Sequence, residues 1–284
     1  MKILLANVAV VDEGGEEMHF VESMVLPLLR RNLDLVKQKD TEITFRFPKW
    51  GPTGLDPFMY SYLHHLADRE VFYAVVQAEK EGFDGAMVTC FHDPMLWDIR
   101  QAVDIPVVGI AESSMLLAAM MGLRFGVVTV SPYSVHDTEE NIAKYGLKER
   151  AVRVRPIPET AEEQPMVLTD AHHGIESFRT VGRELIADGA EVLIPFCSLF
   201  APLLRLTPGA EREYPNGLTE VDGVPVLDVL GAAIKMAETL VALKQAGSAW
   251  ISRKSFYAQP NSKAIEEGQM VLKYEGPGYW DYWI

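Results

Sequence analysis

Short apolar runs rich in β-branched residues alternate along the chain with longer stretches whose apolar positions recur at helical spacing. The apolar runs predict strands at 3–11, 41–47, 85–89, 106–110, 124–130, 151–156, 192–196 and 225–227. The amphipathic stretches predict helices at 21–37, 62–81, 95–102, 112–121, 133–145, 170–188, 198–206 and 229–245. Buried strands separated by such helices are typical of a parallel sheet with helices on both faces. The chain is therefore predicted to be an α/β protein.

The second half of this pattern repeats the first. The segment 81–84 precedes the strand that ends at Cys90, and the similar segment 188–191 precedes the strand that ends at Cys197, 107 residues further on. Two more pairs of segments match in the same order, 105–108 with 224–227 and 3–7 with 125–129. A solenoid unit is only ~20–50 residues long. The repeat therefore indicates two similar lobes rather than a solenoid.

We therefore predict an α/β fold of two similar lobes, each a mainly parallel sheet flanked by helices. A pseudo-two-fold axis relates them and the active site lies between them. Residues 1–111 are predicted to form the first lobe, joined by the closing segment 224–247, and residues 112–223 the second. Residues 248–284 form an aromatic-rich extension. Because large aromatic rings gain from burial, we expect this extension to dock on its own body or on another subunit.

The net charge and the length of the apolar runs limit the kinds of molecule that the protein is expected to bind. Forty acidic residues against 26 Lys and Arg leave a formal charge of −14, which would repel nucleic acid and anionic lipid. The longest apolar run, 115–123, is about half the length of a membrane-spanning helix. We expect a soluble cytoplasmic homo-oligomer that acts on a small molecule, with no nucleic-acid or membrane partner. Two cysteines are too few for a disulfide scaffold.

The two cysteines occupy equivalent places in the two copies. Cys90 and Cys197 each follow a buried strand and precede a short helix, at the edge of the sheet where α/β proteins bind ligands. A helix N-terminus lowers the pKa of a thiol. If the lobes face each other, the two thiols flank one cleft and can remove a proton from one face of a carbon and return it to the other. A lone strand-end cysteine is more often core packing, but the shared position favours two-thiol catalysis.

Metal and cofactor motifs are not evident in the sequence. It contains neither a His-Glu-x-x-His nor a Cys-x-x-Cys pattern, and His92 is the only histidine close in sequence to either cysteine. The pairs 64–65 and 172–173 lie at predicted helix starts, where we expect solvated caps. Neither a glycine-rich nucleotide loop nor a pyridoxal lysine motif is found. We therefore predict no metal and no cofactor.

Several of these segments together resemble a known family. They are Cys90-Phe91-His92-Asp93-Pro94, the runs 105–112 and 124–129, and the segment 189–191 leading to Cys197. They are similar to the aspartate/glutamate racemase superfamily, and closest to its hydantoin racemase branch. The resemblance covers roughly residues 2–245, and its most specific part is 82–129.

The resemblance implies a cofactor-independent racemase or epimerase with Cys90 and Cys197 as acid and base. Asn7 and Thr129 match the polar residues that end the first strand of each lobe. Groups next to the cysteines, at Phe91 and Ser198, would hold the oxygens of the substrate. From its position beside Cys90, His92 could tune the thiolate, contact the substrate or be an ordinary surface residue. The predicted substrate-binding set is thus Asn7, Phe91, His92, Thr129 and Ser198. The front motif, which begins at Asn7, and His92 depart from the usual family pattern and leave the particular substrate open.

The phenylalanines that flank the cysteines favour a substrate with an apolar substituent. We expect a 5-substituted hydantoin or an amino-acid-like compound. Alternatives in the same superfamily are a maleate-type cis–trans isomerase, in which one cysteine attacks as a nucleophile, and an arylmalonate decarboxylase-like enzyme, a type that retains one cysteine. The alternative of another class is a non-catalytic small-molecule binding protein, since two lobes around a cleft also describe receptors.

Overall fold

Parallel strands and helices alternate through the described part of the chain, which in this computed structural model comprises residues 1–8, 21–48, 60–160 and 162–271. The strands are β1 Lys2–Ala6, β2 Glu42–Arg46, β3 Gly85–Val88, β4 Val107–Gly109, β5 Phe125–Thr129, β6 Ala151–Pro156, β7 Val192–Pro195, β8 Glu220–Val221 and β9 Val224–Pro225. The helices are α1 Leu26–Asp34, α2 Ser61–Lys80, α3 Leu96–Ala102, α4 Ile110–Met121, α5 Tyr133–Lys144, α6 Gln164–Thr169, α7 Ala171–Ala187, α8 Phe200–Leu206, α9 Val229–Gln245 and α10 Ser262–Val271.

The first sheet has the strand order β2-β1-β3-β4, and all its strands are parallel. Alternate residues of β1 point to opposite faces, as the two-residue repeat of a strand requires. Leu4 and Ala6 pack with residues of α2 and α3, whereas Ile3 and Leu5 pack with residues of α1. The sheet is therefore covered by helices on both faces.

The second sheet repeats this order as β6-β5-β7, also parallel. Beyond β7, Val226 forms a single parallel bridge with Leu193, in the position that Val107 occupies beside Ala86 in the first sheet. The α/β class and the two-lobed architecture predicted from the repeat are confirmed. The strand predicted at 225–227 differs in detail, because β9 pairs antiparallel with β8 before Val226 reaches the sheet.

One hydrophobic core runs through both lobes. Helix α4 leaves the end of β4 and packs on β7 and β5 of the second sheet, whereas α9 packs on β3 and β4 of the first sheet and also against α4. Buried side chains from both sheets and from α4 and α9 therefore form one continuous cluster. The residue boundaries predicted for the lobes, at 111 and 223, stay a prediction.

Most differences from the predicted elements lie at their ends. The helix predicted at 21–37 consists of a wide π-type turn, Val21–Val25, followed by α1, which has a proline in its first turn and ends at Asp34. The strand predicted at 3–11 ends at Ala6, and residues 9–11 lie outside the described residues. Helices α6 and α10 were not predicted. The described side chains of α10 are exposed, so no buried apolar stripe marked it in the sequence.

The beginning of the C-terminal extension docks on the first lobe. The ring of Phe256 meets that of Trp97 edge-on, with centroids 5.6 Å apart. The guanidinium of Arg253 donates to the backbone carbonyls of Arg100 and Val103 at 2.7 and 2.6 Å. Residues 272–284, which hold most of the aromatic side chains of the extension, lie outside the described residues. Within the described chain, no helix combines the length and the apolar character that crossing a membrane would require.

The core makes a stability prediction. Phe178 of α7 is fully buried and its ring packs against Phe200 of α8. Phe178→Ala leaves a cavity, so we expect the free energy of unfolding to fall by about 3–5 kcal/mol in urea denaturation. Leu123→Ala, at a site that is 67% exposed, should change it by less than about 0.5 kcal/mol. Equal losses in the two variants would contradict this account of the core.

Candidate active site

The two cysteines lie at matching ends of the two sheets. Cys90 is two residues beyond β3 and Cys197 two residues beyond β7, and both thiols are free and partly buried. The backbone of the two loops is not identical. Cys197 has a φ of 85°, in the left-handed region that costs a non-glycine residue about 1–3 kcal/mol. Such local strain is found preferentially where a side chain must be held in a functional direction.

Aromatic rings connect the two cysteine loops. The ring of Phe91, next to Cys90, lies 4.8 Å from the ring of Phe196, next to Cys197. The ring of His92 is 5.5 Å from Phe196. The negative charge of the Cys90 thiolate also contributes to raising the pKa of Cys197. The loops therefore face each other across the boundary between the lobes.

Two imidazoles surround the Cys90 thiol. His64, in the first turn of α2, places Nε2 3.9 Å from Cys90 Sγ, and His92 places Nδ1 3.7 Å from it. The two imidazole nitrogens, His64 Nε2 and His92 Nδ1, are 2.8 Å apart. The three side chains form one compact cluster, the Cys90 cluster, whose possible ligand atoms all lie within 3.9 Å of one another.

A carboxylate faces the remote nitrogen of each imidazole. Asp68, one turn along α2, lies 3.2 Å from His64 Nδ1. Asp137 of α5 lies 3.3 Å from His92 Nε2. Asp68 favours positive charge on His64, and Asp137 lies against the ring of His92. The Cys90 cluster belongs to the first lobe and is flanked by a carboxylate of the second, since α2 packs on the first sheet and α5 on the second.

This arrangement favours a thiolate at Cys90. Burial alone would raise the pKa of Cys90, but His92 and His64 outweigh it and lower the pKa to about 6. Burial lowers the pKa of His64, but Asp68 and Cys90 outweigh it and raise the pKa to about 10. Burial likewise opposes ionisation of Asp68, and His64 and His65 nevertheless lower its pKa. At neutral pH a thiolate therefore lies against a charged imidazole.

The environment of Cys197 favours the neutral thiol instead. Burial raises the pKa of its thiol, and the backbone N–H groups of Leu199 and Phe200 only partly offset this effect. The N–H of Leu199 points at Cys197 Sγ from 3.5 Å. The two equivalent positions therefore differ, with a thiolate at Cys90 and a neutral thiol at Cys197. Groups with opposite pKa shifts at one site are what acid–base catalysis requires.

The second lobe also holds the backbone of the Cys90 loop. Asn141 of α5 donates through Nδ2 to the carbonyls of Phe91 and His92, at 3.2 and 3.0 Å. The buried carboxylate of Asp93 accepts from the Tyr145 hydroxyl at 2.6 Å and from the N–H groups of Ala111 and Glu112 in the first turn of α4. Because these hydrogen bonds cross from one lobe to the other, they hold the Cys90 loop in place relative to the second lobe.

Glycine is required at position 109 by this packing. A Cβ added at Gly109, which immediately precedes α4, would collide with the Asp93 carboxylate. Burial raises the pKa of Asp93 to about 7, although Tyr145 and the two N–H groups of α4 favour the charged form. The carboxylate acts as a cap for α4 and holds the loop rather than facing the cleft.

Two of the predicted substrate-binding residues make internal hydrogen bonds. The Thr89 hydroxyl donates to Asn7 Oδ1 at 2.7 Å, so Asn7 is tied to the residue that precedes Cys90. Thr129 is fully buried, and its hydroxyl donates to the carbonyl of Ser131 at 2.9 Å. Phe91 is buried in the wall between the loops, and Ser198 is partly exposed beside Cys197. Their roles toward a substrate stay predictions.

The interpretation of His64 as a solvated cap is wrong. Only 7% of this residue is exposed, because α2 places its first turn on the end of β3, where the ring meets Cys90 and His92. His172, the corresponding residue in the other predicted pair, does have a largely exposed side chain. Sequence reasoning also missed Asp68, Asp137 and Asn141. The spacing of four residues between His64 and Asp68 places both side chains on one face of a helix, so this contact could have been predicted from the sequence.

Three comparisons with known proteins identify similar proteins. The family described as Asp/Glu/Hydantoin racemase matches residues 25–237. Hydantoin racemase of Pseudomonas sp. (strain NS671) is 34% identical over 207 residues, 72% of this chain and 76% of that protein. Hydantoin racemase of Rhizobium meliloti is 32% identical over 195 residues, 66% and 71% of the two chains. The solved structure of allantoin racemase from Klebsiella pneumoniae is similar with a TM-score of 0.71 and 26% identity, covering 93% of this chain and 95% of that one.

The surroundings of Cys90 lead to a prediction about the pKa of its thiol. Replacing His64 by glutamine removes the buried charge next to Cys90, so the pKa of that thiol should rise from about 6 toward the ~8.5 of a free cysteine. The ultraviolet absorbance of the thiolate, followed against pH in the Cys197→Ser background, measures it. His172→Gln is the matched control and should leave the titration unchanged. An unaltered titration in His64→Gln would contradict the role given to His64.

Proposed function

The chain belongs to the Asp/Glu/hydantoin racemase family, and from this membership we propose that Cys90 and Cys197 act on opposite faces of one substrate carbon. The proposed reaction is racemisation or epimerisation at a carbon next to a carbonyl, with no cofactor. The observation that carries it is the pair of thiols at equivalent strand ends, one favouring the thiolate and the other the thiol. A single turnover needs one group in each of these states.

The proton transfers follow from these states. The Cys90 thiolate takes the proton from the substrate carbon, an S–H bond forms, and the C–H electron pair moves into the carbonyl as an enolate. The Cys197 thiol then gives its proton to the opposite face of the carbon, and its sulfur is left as a thiolate. The opposite enantiomer reacts through the same steps in reverse. Positioned acid–base groups of this kind contribute typically about 10²–10⁴-fold to a rate.

The imidazoles prepare the base without touching the substrate carbon. His64 carries its charge in a buried site, where the interaction with a thiolate is stronger than in water. Asp68 and Asp137 hold the two rings in place, so no reorganisation is needed when the thiolate forms. His64 is therefore proposed as a positioning residue for Cys90 rather than as an acid or base toward the substrate.

The proposed substrate is a 5-substituted hydantoin, with an amino-acid-like compound as the broader class. The names of two similar proteins are hydantoin racemase, and that of the similar solved structure is allantoin racemase. In this ring the carbon that loses its proton lies between a carbonyl and a ring nitrogen, so the anion is delocalised onto oxygen. The packed rings of Phe91 and Phe196 between the two cysteine loops suit an apolar substituent. Asn7, Phe91, His92, Thr129 and Ser198 remain the proposed binding residues.

Isotope exchange tests the proton transfers. In heavy water the wild-type protein should introduce deuterium at C5 of a 5-substituted hydantoin while the optical rotation decays. Cys90→Ser and Cys197→Ser should each lower the racemisation rate by at least about 10²-fold, because one face loses its acid–base group. Mass spectrometry and polarimetry on the same samples separate exchange from inversion.

The outcomes of this experiment are distinct. Cys197→Ser could still exchange the enantiomer whose hydrogen faces Cys90, without inverting it, which supports the two-sided arrangement. Full racemisation in Cys197→Ser would refute the two-base assignment. The absence of exchange by the wild type with every hydantoin and amino acid tested would favour a non-catalytic binding protein. Unchanged thermal melting of the variants shows that they fold.

The pH dependence of kcat/KM tests the assignment of roles. The base must be deprotonated, so activity should increase as pH rises through about 6, the pKa of Cys90. The acid must be protonated, and the pKa of Cys197 is raised, so activity should fall only above the ~8.5 of an ordinary thiol. Initial rates over this range, in buffers of constant ionic strength, measure both limbs. A decline that begins below neutral pH would contradict the raised pKa given to Cys197.

A further inference from the structure

The Cys90 cluster has the composition of a transition-metal site. Three potential ligand atoms face one another: His64 Nε2, Cys90 Sγ and His92 Nδ1. The sulfur lies 3.9 and 3.7 Å from the two nitrogens, which are 2.8 Å apart. From this geometry we infer that the cluster binds a divalent ion of the zinc class.

A carboxylate lies near the outer nitrogen of each imidazole. A carboxylate only accepts hydrogen bonds, so the nitrogen that faces it carries a proton. In the metal-bound form each ring keeps one proton, which on His64 lies at Nδ1, 3.2 Å from Asp68, and on His92 at Nε2, 3.3 Å from Asp137. The inner nitrogens, His64 Nε2 and His92 Nδ1, then offer their lone pairs beside the thiolate. Two lone pairs at 2.8 Å need a cation between them, which can be a shared proton or a metal ion.

The distances are close to those of tetrahedral zinc. Zinc binds nitrogen at about 2.0–2.1 Å and sulfur at about 2.3 Å, which places nitrogen pairs about 3.3 Å apart and sulfur–nitrogen pairs about 3.5 Å apart. The observed separations differ from these values by a few tenths of an ångström, within reach of small ring rotations. Thiolate and imidazole select zinc, cobalt or copper over magnesium and calcium. Three protein ligands leave one position of a tetrahedral ion open.

The carboxylates next to the two histidines distinguish this cluster from a chance grouping of side chains. Metal-binding histidines almost always donate their other nitrogen to a carboxylate or carbonyl, and both histidines here face a carboxylate. The other candidate cluster among the described residues is His136, Asp137 and Glu140 on the surface of α5. It lacks a thiolate and is largely exposed. We therefore place the ion at Cys90, with Asp137 in its second shell.

Binding has a consequence that rests on the proposed function. A zinc ion coordinated by Cys90 uses the sulfur lone pair that would otherwise accept the substrate proton. The ion replaces the proton of the cluster, which leaves to solvent, and no bond of the protein is oxidised or reduced. Zinc should therefore inhibit racemisation reversibly, and a chelator should restore it.

The full-length chain tests binding without any substrate. Calorimetric titration with Zn²⁺ should give one ion per chain, and Co²⁺ should give a thiolate-to-metal absorption together with the visible bands of a tetrahedral site. Cys90→Ser should abolish the thiolate band. His92→Gln removes a ligand, and Asp137→Asn should weaken Zn²⁺ affinity by about 10–100-fold, the usual effect of losing a second-shell carboxylate.

His136→Gln is the matched control, because it alters the exposed cluster on α5 and leaves the Cys90 cluster intact. Its Zn²⁺ affinity should equal that of the wild type. Wild-type affinity in both His92→Gln and Asp137→Asn, or Co²⁺ binding without a thiolate band, would overturn the proposed site. Asp137→Asn is nearly isosteric, so it keeps the test decisive if His92→Gln does not fold.

The inhibition assay separates this inference from the proposed function. Zinc bound at the Cys90 cluster with racemisation undiminished would support the metal site and refute Cys90 as the proton acceptor. Racemisation with no Zn²⁺ binding would refute the metal site and leave the two-thiol mechanism standing. Binding together with an inhibition that a chelator reverses supports both.

Discussion

The buried carboxylate of Asp93 fixes the geometry on which the rest of the site depends. It accepts from the first turn of α4, a helix that crosses to the second sheet, and from Tyr145 at the end of α5. The loop that carries Cys90 is therefore held by the lobe that it faces. Burial works against this ionised carboxylate and raises its pKa to about 7, so three donors are needed to hold the charge in place. A looser loop would let the thiol move relative to its imidazoles.

The similar backbones of the two lobes and their different side chains make separate contributions to the site. The repeated sheet order brings two equivalent loops to one boundary, which supplies the positions for two opposed groups. Proton transfer in one direction needs groups that differ, and among the residues that the structure describes imidazoles lie against the thiol of the first loop. The second loop has a strained cysteine among apolar neighbours instead. The two lobes share a fold, whereas their ionisation behaviour depends on a few local residues.

The sequence predicted what local pattern and repetition determine. Apolar strands alternating with amphipathic helices defined the α/β class, and the matched spacing placed Cys90 and Cys197 at equivalent strand ends. It did not reveal His64, which is 26 residues from Cys90 and meets it only because α2 docks on the end of β3. Asp137 and Asn141 were missed for the same reason, since they reach the loop from the other lobe. Contacts between elements depend on docking angles that periodicity does not encode.

A thiolate prepared for proton transfer resembles a metal ligand for physical reasons. Both functions need a deprotonated sulfur with imidazoles and carboxylates around it. Proton transfer uses His64 in its charged form, whereas a metal ion replaces the proton of that ring. The short contact between His64 and His92 concentrates lone pairs at one point, and a proton there is the smallest cation that satisfies them. Moving one ring away would relieve that demand for a cation but would also weaken the stabilisation of the Cys90 thiolate. The features that lower the pKa of Cys90 are therefore the same ones that create affinity for zinc.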